Sequence, residues 1–332
     1  MVVRREMYNI CSLHLFPFTV QLASMVLTLG VLQLTHLSIG TESNQLPEKI
    51  MTVSKEQIER LKSTKLTNGD SVYERLNLVS TRKPRRRTKK FVTLDPYNPP
   101  YRQSFKNVNE LKYPIPDTAE LFELNEKRGT FVFRGQESVA KWFSTADSNT
   151  DVCALRFEDD SKIEYQLRTF ASTNDAQAVG YIVTHSSHCG TCSSLSNLAT
   201  YLEYRNLTTV ARSCGRNRNA KKIKTCLMND VGFDEPCAET WTYNILHTTD
   251  HCKSICVKHY GFWNVLWGKM DKPHTDKHGN LNPCLQCDEN TSGPGFKYVA
   301  GRTRRNSGII SAIHRQPEEI HFVDHSLYFE KE

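Results

Sequence analysis

Ala178-Val-Gly-Tyr-Ile-Val-Thr-His-Ser-Ser-His-Cys-Gly-Thr-Cys-Ser-Ser-Leu-Ser-Asn-Leu-Ala-Thr-Tyr-Leu-Glu-Tyr204 is where this chain changes from one hydrophobic period to another. Its first part, Ala178 to Thr184, is a short apolar run that reads as a strand, and Ser193 to Tyr204 reads as an amphipathic helix. Before it, Asp117-Thr-Ala-Glu120 predicts a helix reaching Lys127 and ended by Gly129, then a strand from Thr130 to Arg134 and a short helix from Gln136 to Phe143. Val152 to Phe157 and Lys162 to Phe170 read as two more strands joined by the acidic turn Glu158-Asp-Asp-Ser161. After it the β signal fades, and Asn219 to Asp230, Asp234 to His247 and Thr249 to Tyr260 all fit helices. The expected class is α+β: a small N-terminal sheet followed by a cysteine-rich, disulfide-stapled helical part.

Outward from there, the N-terminal region sets the compartment. Ile10 to Ile39 holds no Asp, Glu, Lys or Arg and is preceded by Arg4 and Arg5. The apolar core from Leu15 to Leu34 is long enough to cross about 30 Å of hydrocarbon. A single-pass, type II signal anchor is expected over 10–39, with a cytosolic tail over 1–9 and everything beyond in the secretory lumen or outside the cell. The alternative is secretion after signal cleavage near Gly40, where Ser38-Ile39-Gly40 offers small residues, although a cleaved leader usually has an apolar region of only about 7 to 15 residues.

Residues 40–100 read as a flexible stem. Ser54-Lys-Glu-Gln57 has the form of a capping box, but apolar content is low, and Asp95-Pro-Tyr-Asn-Pro-Pro100 fixes extended backbone. The compact, disulfide-rich domain is expected over 101–332. With 43 basic and 36 acidic residues the chain carries +7, but Arg82-Lys-Pro-Arg-Arg-Arg-Thr-Lys-Lys90 supplies much of that excess. Without this run the rest is close to neutral, so no nucleic-acid partner is expected. The run over 82–90 is a solvated linker, a processing site around Lys83-Pro-Arg-Arg86, or a polyanion patch.

Of the 11 cysteines only Cys11 lies outside the span from Cys153 to Cys287. In an oxidising compartment Cys153, Cys189, Cys192, Cys214, Cys226, Cys237, Cys252, Cys256, Cys284 and Cys287 become up to five disulfides, and about 945 pairings are possible. Cys252 and Cys256 stand one helical turn apart, so each is expected to reach another segment.

Cys189-Gly-Thr-Cys192 follows an apolar strand and opens a helix, whose dipole lowers a thiol pKa. Over about 25 residues it resembles the redox turn of thioredoxin-like proteins, which implies Cys189 as attacking thiolate and Cys192 as resolving thiol of a thiol–disulfide oxidoreductase. The competing expectation is that both are structural. A third reading takes His185, His188, Cys189 and Cys192 with Cys284-Leu-Gln-Cys287 as a zinc or iron–sulfur site, although 91 residues separate the two pairs. No cofactor is favoured.

The remaining candidates lie at the surface or in the core. Arg302, Arg304 and Arg305, set between glycines in Gly293 to Gly308, form an anion-binding candidate. His314, His321, Asp324 and His325 read as surface groups, with Ile320 to Phe329 rich in strand formers. Phe262, Trp263, Leu266 and Trp267 at helical spacing are expected in the core. Asn206-Leu-Thr208 and Asn290-Thr-Ser292 are glycosylation sequons. No hydrolase nucleophile motif or phosphate-binding glycine loop is present. The expected function is a membrane-anchored binding module for a protein, glycan or anionic ligand.

Overall fold

The computed structural model describes residues 53–76, 95–97, 122–126, 130–133 and 150–329, all within a compact unit from Leu46 to Glu332. It is a mixed α+β domain. A four-stranded sheet is built from β1 (Lys65–Leu66), β4 (Val152–Phe157), β5 (Glu164–Phe170) and β6 (Ile182–Ser186), in the order β1-β5-β4-β6. β4 is antiparallel to both β5 and β6, with a register shift between Cys153 and Ala154 on the β6 side, whereas β1 joins β5 in parallel. Separately, β2 (Phe122–Asn125) and β3 (Thr130–Phe133) form an antiparallel pair.

Alternation along β4 explains how one strand serves two layers, since successive side chains point to opposite faces. Cys153 and Leu155 enter the main core with Tyr165 and Leu167, while Val152 and Ala154 enter a smaller cluster with Phe170, Ala176 and Tyr181. The smaller cluster is closed by α3 (Thr173–Ala178), which Ser172 caps by accepting from the Asp175 amide. The main core is closed by α1 (Lys55–Lys62), α2 (Gly69–Arg75) and α4 (Leu195–Glu203).

Side-chain caps punctuate the helical half. Ser194 caps α4, Asn206 caps α5 (Leu207–Gly215), Asn219 caps α6 (Ala220–Cys226), Asp234 caps α7 (Glu235–Tyr260) and Asn282 caps α9 (Pro283–Thr291). Each supplies an acceptor to an otherwise unpaired first-turn N–H. α6 widens into a π-helical turn at Leu227–Val231 that Gly232 ends at φ 91°. The remaining helices are α8 (Phe262–Trp267) and α10 (Gly293–Ala300).

Five disulfides hold the domain: Cys153–Cys189, Cys192–Cys237, Cys214–Cys226, Cys252–Cys287 and Cys256–Cys284. The first ties β4 to the turn after β6, and the second ties that turn to α7. The last two fasten α7 to α9 at two successive turns.

The structure corrects the sequence reading in several places. The stem does not stay outside the fold. Ile58, Leu61, Val72 and Leu76 are buried, β1 extends the sheet, and Tyr97 stacks on His247 at 4.1 Å. Phe122–Asn125 is a strand rather than the end of a helix, because it pairs residue for residue with Thr130–Phe133. The strand expected over Ala178 to Thr184 starts only at Ile182, after α3. The two helices expected on either side of Thr248 are one, and the C-terminal strand over Ile320 to Phe329 is a loop with a short 3-10 turn at Ser326–Tyr328. Phe262, Trp263, Leu266 and Trp267 are exposed at 49 to 66%, not core. The helix expected over Gln136 to Phe143, the basic run 82–90 and the apolar segment 10–39 lie outside the described residues, and among those described no helix is long and apolar enough to cross a membrane.

Candidate functional site

The sequence candidates separate into two places. Cys189, Cys192, His185, His188 and Arg302 gather in a closed polar hub where β6 meets α4, and each is at most 3% exposed. The turn 189–192 lies flat on the end of α10: the Thr191 and Cys192 amides donate to the Val299 and Ala300 carbonyls at 2.9 and 2.8 Å. A Cβ on Gly190 would stand 2.4 Å from the Val299 carbonyl oxygen, so this approach requires glycine.

Arg302 crosses the hub. Its Nη1 donates to the Thr184 carbonyl at 3.0 Å and to Ser307 Oγ at 3.3 Å, and its Nη2 donates to Thr184 Oγ1 at 2.5 Å and to the Ser193 carbonyl at 3.0 Å. Burial lowers its pKa, and among the described residues it has no ion-pair partner. The cation is therefore held by neutral acceptors, with Nε buried and without a hydrogen-bond partner among the described residues. His185 is neutral. Its Nδ1 bonds the Ser186 carbonyl at 2.7 Å and must carry the proton, which leaves Nε2 to accept from Ser193 Oγ at 2.7 Å. Burial, then Arg302, holds its pKa well below the ordinary histidine value.

This hub overturns three readings. Cys189 and Cys192 belong to different buried bridges, so they form no local redox pair. Cys284 and Cys287 are bridged to α7, and among the described residues no group of three or more His, Cys, Asp or Glu is placed to hold a metal. Arg302 is a core residue, not part of a surface anion loop.

The second place is an open-mouthed cavity of about 610 Å³ lined by α5, α7, α8, α9, α10 and the segment after α10. Its walls are chiefly apolar, with Leu207, Ile245, Val257, Leu285, Phe296 and Ile313 among them. The paired bridges between α7 and α9 fix one wall, and Cys256 and Cys284 line it. Two of the arginines read as anion candidates reach it, Arg304 and Arg305, and so does Asn206.

Its charged groups are unevenly satisfied. Glu289 receives Arg305 Nη2 at 3.2 Å, Arg315 Nη2 at 2.5 Å and Lys297 Nζ at 3.8 Å. Burial pushes the Glu289 carboxyl up, but Arg305, Lys297 and Arg315 outweigh that and hold it below its usual value. Arg304 donates to the Ile310 and Tyr204 carbonyls, and burial lowers its pKa to about 10. Asp288 accepts from Thr248 Oγ1, and burial raises its carboxyl to about 6.

Arg212 differs. Its Nη2 donates to Tyr260 Oη at 3.2 Å and its guanidinium lies 5.3 Å from that ring's centre, but its Nη1 is buried without a hydrogen-bond partner among the described residues. Neither Arg212 nor Asp288 stood out in the sequence, because neither belongs to a motif and each is brought to the cavity only by packing.

Fold and site together define a disulfide-locked α+β domain with an open, chiefly apolar cavity and cations in its wall. Over residues 220–323, from α6 to the C-terminal segment, the chain is similar to a family of unknown function, DUF8771. No curated protein and no solved structure matches it. The matched span carries most of the cavity, including α7, α8, α9 and α10, and leaves out the sheet.

Proposed function

We propose that this chain is an exported binding module, held at a membrane through residues 10–39, whose cavity takes a small amphiphile with an acidic head and an apolar body. Five disulfides and the exposed sequon residues Asn206 and Asn290 support the lumenal or extracellular side. The observation that carries the ligand class is the buried Nη1 of Arg212, a residue lining this chiefly apolar cavity, which has no hydrogen-bond partner among the described residues. An unmade bond there costs about 1–3 kcal/mol, and a carboxylate or phosphate recovers it with a charge-assisted hydrogen bond. At about 610 Å³ the cavity lies within the range of small-molecule sites.

The test is native mass spectrometry of the full chain released from lipid nanodiscs with hexadecanoate or hexadecanol added. A one-to-one adduct with hexadecanoate is expected, weaker by about tenfold in Arg212→Gln, an expectation set by the worth of one charge-assisted bond. Equal adducts with the alcohol would remove the acidic head from the proposal, and no adduct with either would remove the cavity.

A further inference from the structure

We infer that α8 is a bilayer-contacting helix, which seats the domain on the membrane with its aromatic side chains at headgroup level. Phe262, Trp263, Leu266 and Trp267 are 57, 66, 49 and 65% exposed, so a six-residue helix presents four large apolar side chains to solvent with none of its own residues buried. Burying such side chains is favourable, so leaving four together exposed is the costly arrangement unless something covers them.

The surrounding charge selects what covers them. Lys258 lies in the last turn of α7 just before the helix, and Lys269 and Lys272 follow it, all exposed, with Asp271 the acid among them. Arg216 Nη1 donates to the Trp267 carbonyl at 3.5 Å, and Lys272 Nζ donates to the His259 carbonyl, so two of these cations are anchored beside α8. Tryptophan and phenylalanine flanked by lysines suit the bilayer interface, where rings sit at the acyl boundary and ammonium groups reach phosphates. An apolar protein partner would have to leave these cations unpaired or bring acids of its own.

The helix is also built to be turned outward. Gly261 at φ 94° and Gly268 at φ 72° bound it, conformations that L side chains rarely adopt. Phe262, Val265 and Leu266 line the cavity as well, so a docked α8 would place that opening beside lipid. The inference does not need the cavity ligand to be correct, and it uses the 10–39 anchor only as a tether.

The experiment places the full chain in phosphatidylcholine vesicles containing a fifth phosphatidylserine and a phospholipid with a photoactivatable group on its acyl chain, and maps crosslinks by peptide mass spectrometry. Crosslinks within 262–267 are expected, and Trp263→Ser with Trp267→Ser should reduce them at 262 and 266 at least fivefold without lowering the thermal midpoint. Crosslinks confined to 10–39 would overturn docking while supporting the anchor. Crosslinks at 262–267 but not at 10–39 would do the reverse. Crosslinks from α8 to a second copy of the chain in place of lipid would also overturn it.

Discussion

Arg302 has four hydrogen bonds to three separated segments, 184, 193 and 307, and among the described residues no carboxylate pairs with it. A planar fork of donors can join acceptors on strand, turn and loop at once, which a single ammonium cannot. Replacing it with methionine leaves the Thr184 and Ser193 carbonyls without these partners in a dry core, so Arg302→Met should cost about 3 kcal/mol or more, and Arg302→Lys should recover little. Urea unfolding measures both, and a methionine variant as stable as the parent would show that the hub is not held this way. The spacing of arginines with glycines was legible in the sequence; their burial was not. Arg302 follows Gly301, whose φ of 69° and close approach to Gly190 pull the next side chain inward.

At the scale of elements, the parallel edge strand shows how a segment of low apolar content still folds. After β1, Asn68 acts as one more rung of the ladder: its Nδ2 donates to the Leu167 carbonyl at 2.8 Å, and its Oδ1 accepts from the Leu167 amide at 2.9 Å. Asn68→Ala should cost about 2 kcal/mol for two partly buried bonds and should speed hydrogen exchange at the Leu167 amide, with little change at Leu155 in the next strand. Unchanged exchange at Leu167 would refute the pairing. Ser54 and Gln57 do form the capping box visible in the sequence, and α4 lies where the strand-to-helix switch put it. What misled the reading of α7 was His247-Thr-Thr-Asp250, which has the composition of a break. The Thr249 hydroxyl instead bonds backward within the helix, Oγ1 to the Ile245 carbonyl at 2.7 Å, the Thr248 hydroxyl reaches across to Asp288 on α9, and with no glycine or proline there the helix runs on. β2 was read as helix because a four-residue strand has too few positions to show its period.

Over the whole molecule, buried histidines set the response to acid. Burial, and for His325 Arg302 as well, lowers His325 and His247 to about 4 and holds His185 well below 6.5. Unfolded histidines bind protons below pH 6.5 that these native ones refuse, so stability is retained above that pH and lost between about 6.5 and 4. Asp288, raised by burial to about 6, works in the opposite sense over the lower part of that window, as do Asp151 and Asp234, which burial also raises, but His259 and His274 are lowered as well, so among the described residues three carboxyls stand against five imidazoles. The urea midpoint should therefore fall on acidification from pH 7 to 4, with His325 contributing roughly 3 kcal/mol at most, and His325→Gln should flatten the slope; a flat profile in the parent would contradict these assignments. The cavity was not legible in the sequence because its walls come from helices far apart along the chain. The abundance of disulfides was legible, but their partners were not. Those partners have an order. Cys153–Cys189 closes before Cys192 is reached, Cys214–Cys226 nests inside Cys192–Cys237, and Cys256–Cys284 nests inside Cys252–Cys287, over separations of only 12 to 45 residues. None of these loops interlocks with another, so oxidation proceeding along the chain from Cys153 to Cys287 needs no bridge to be undone for a later one.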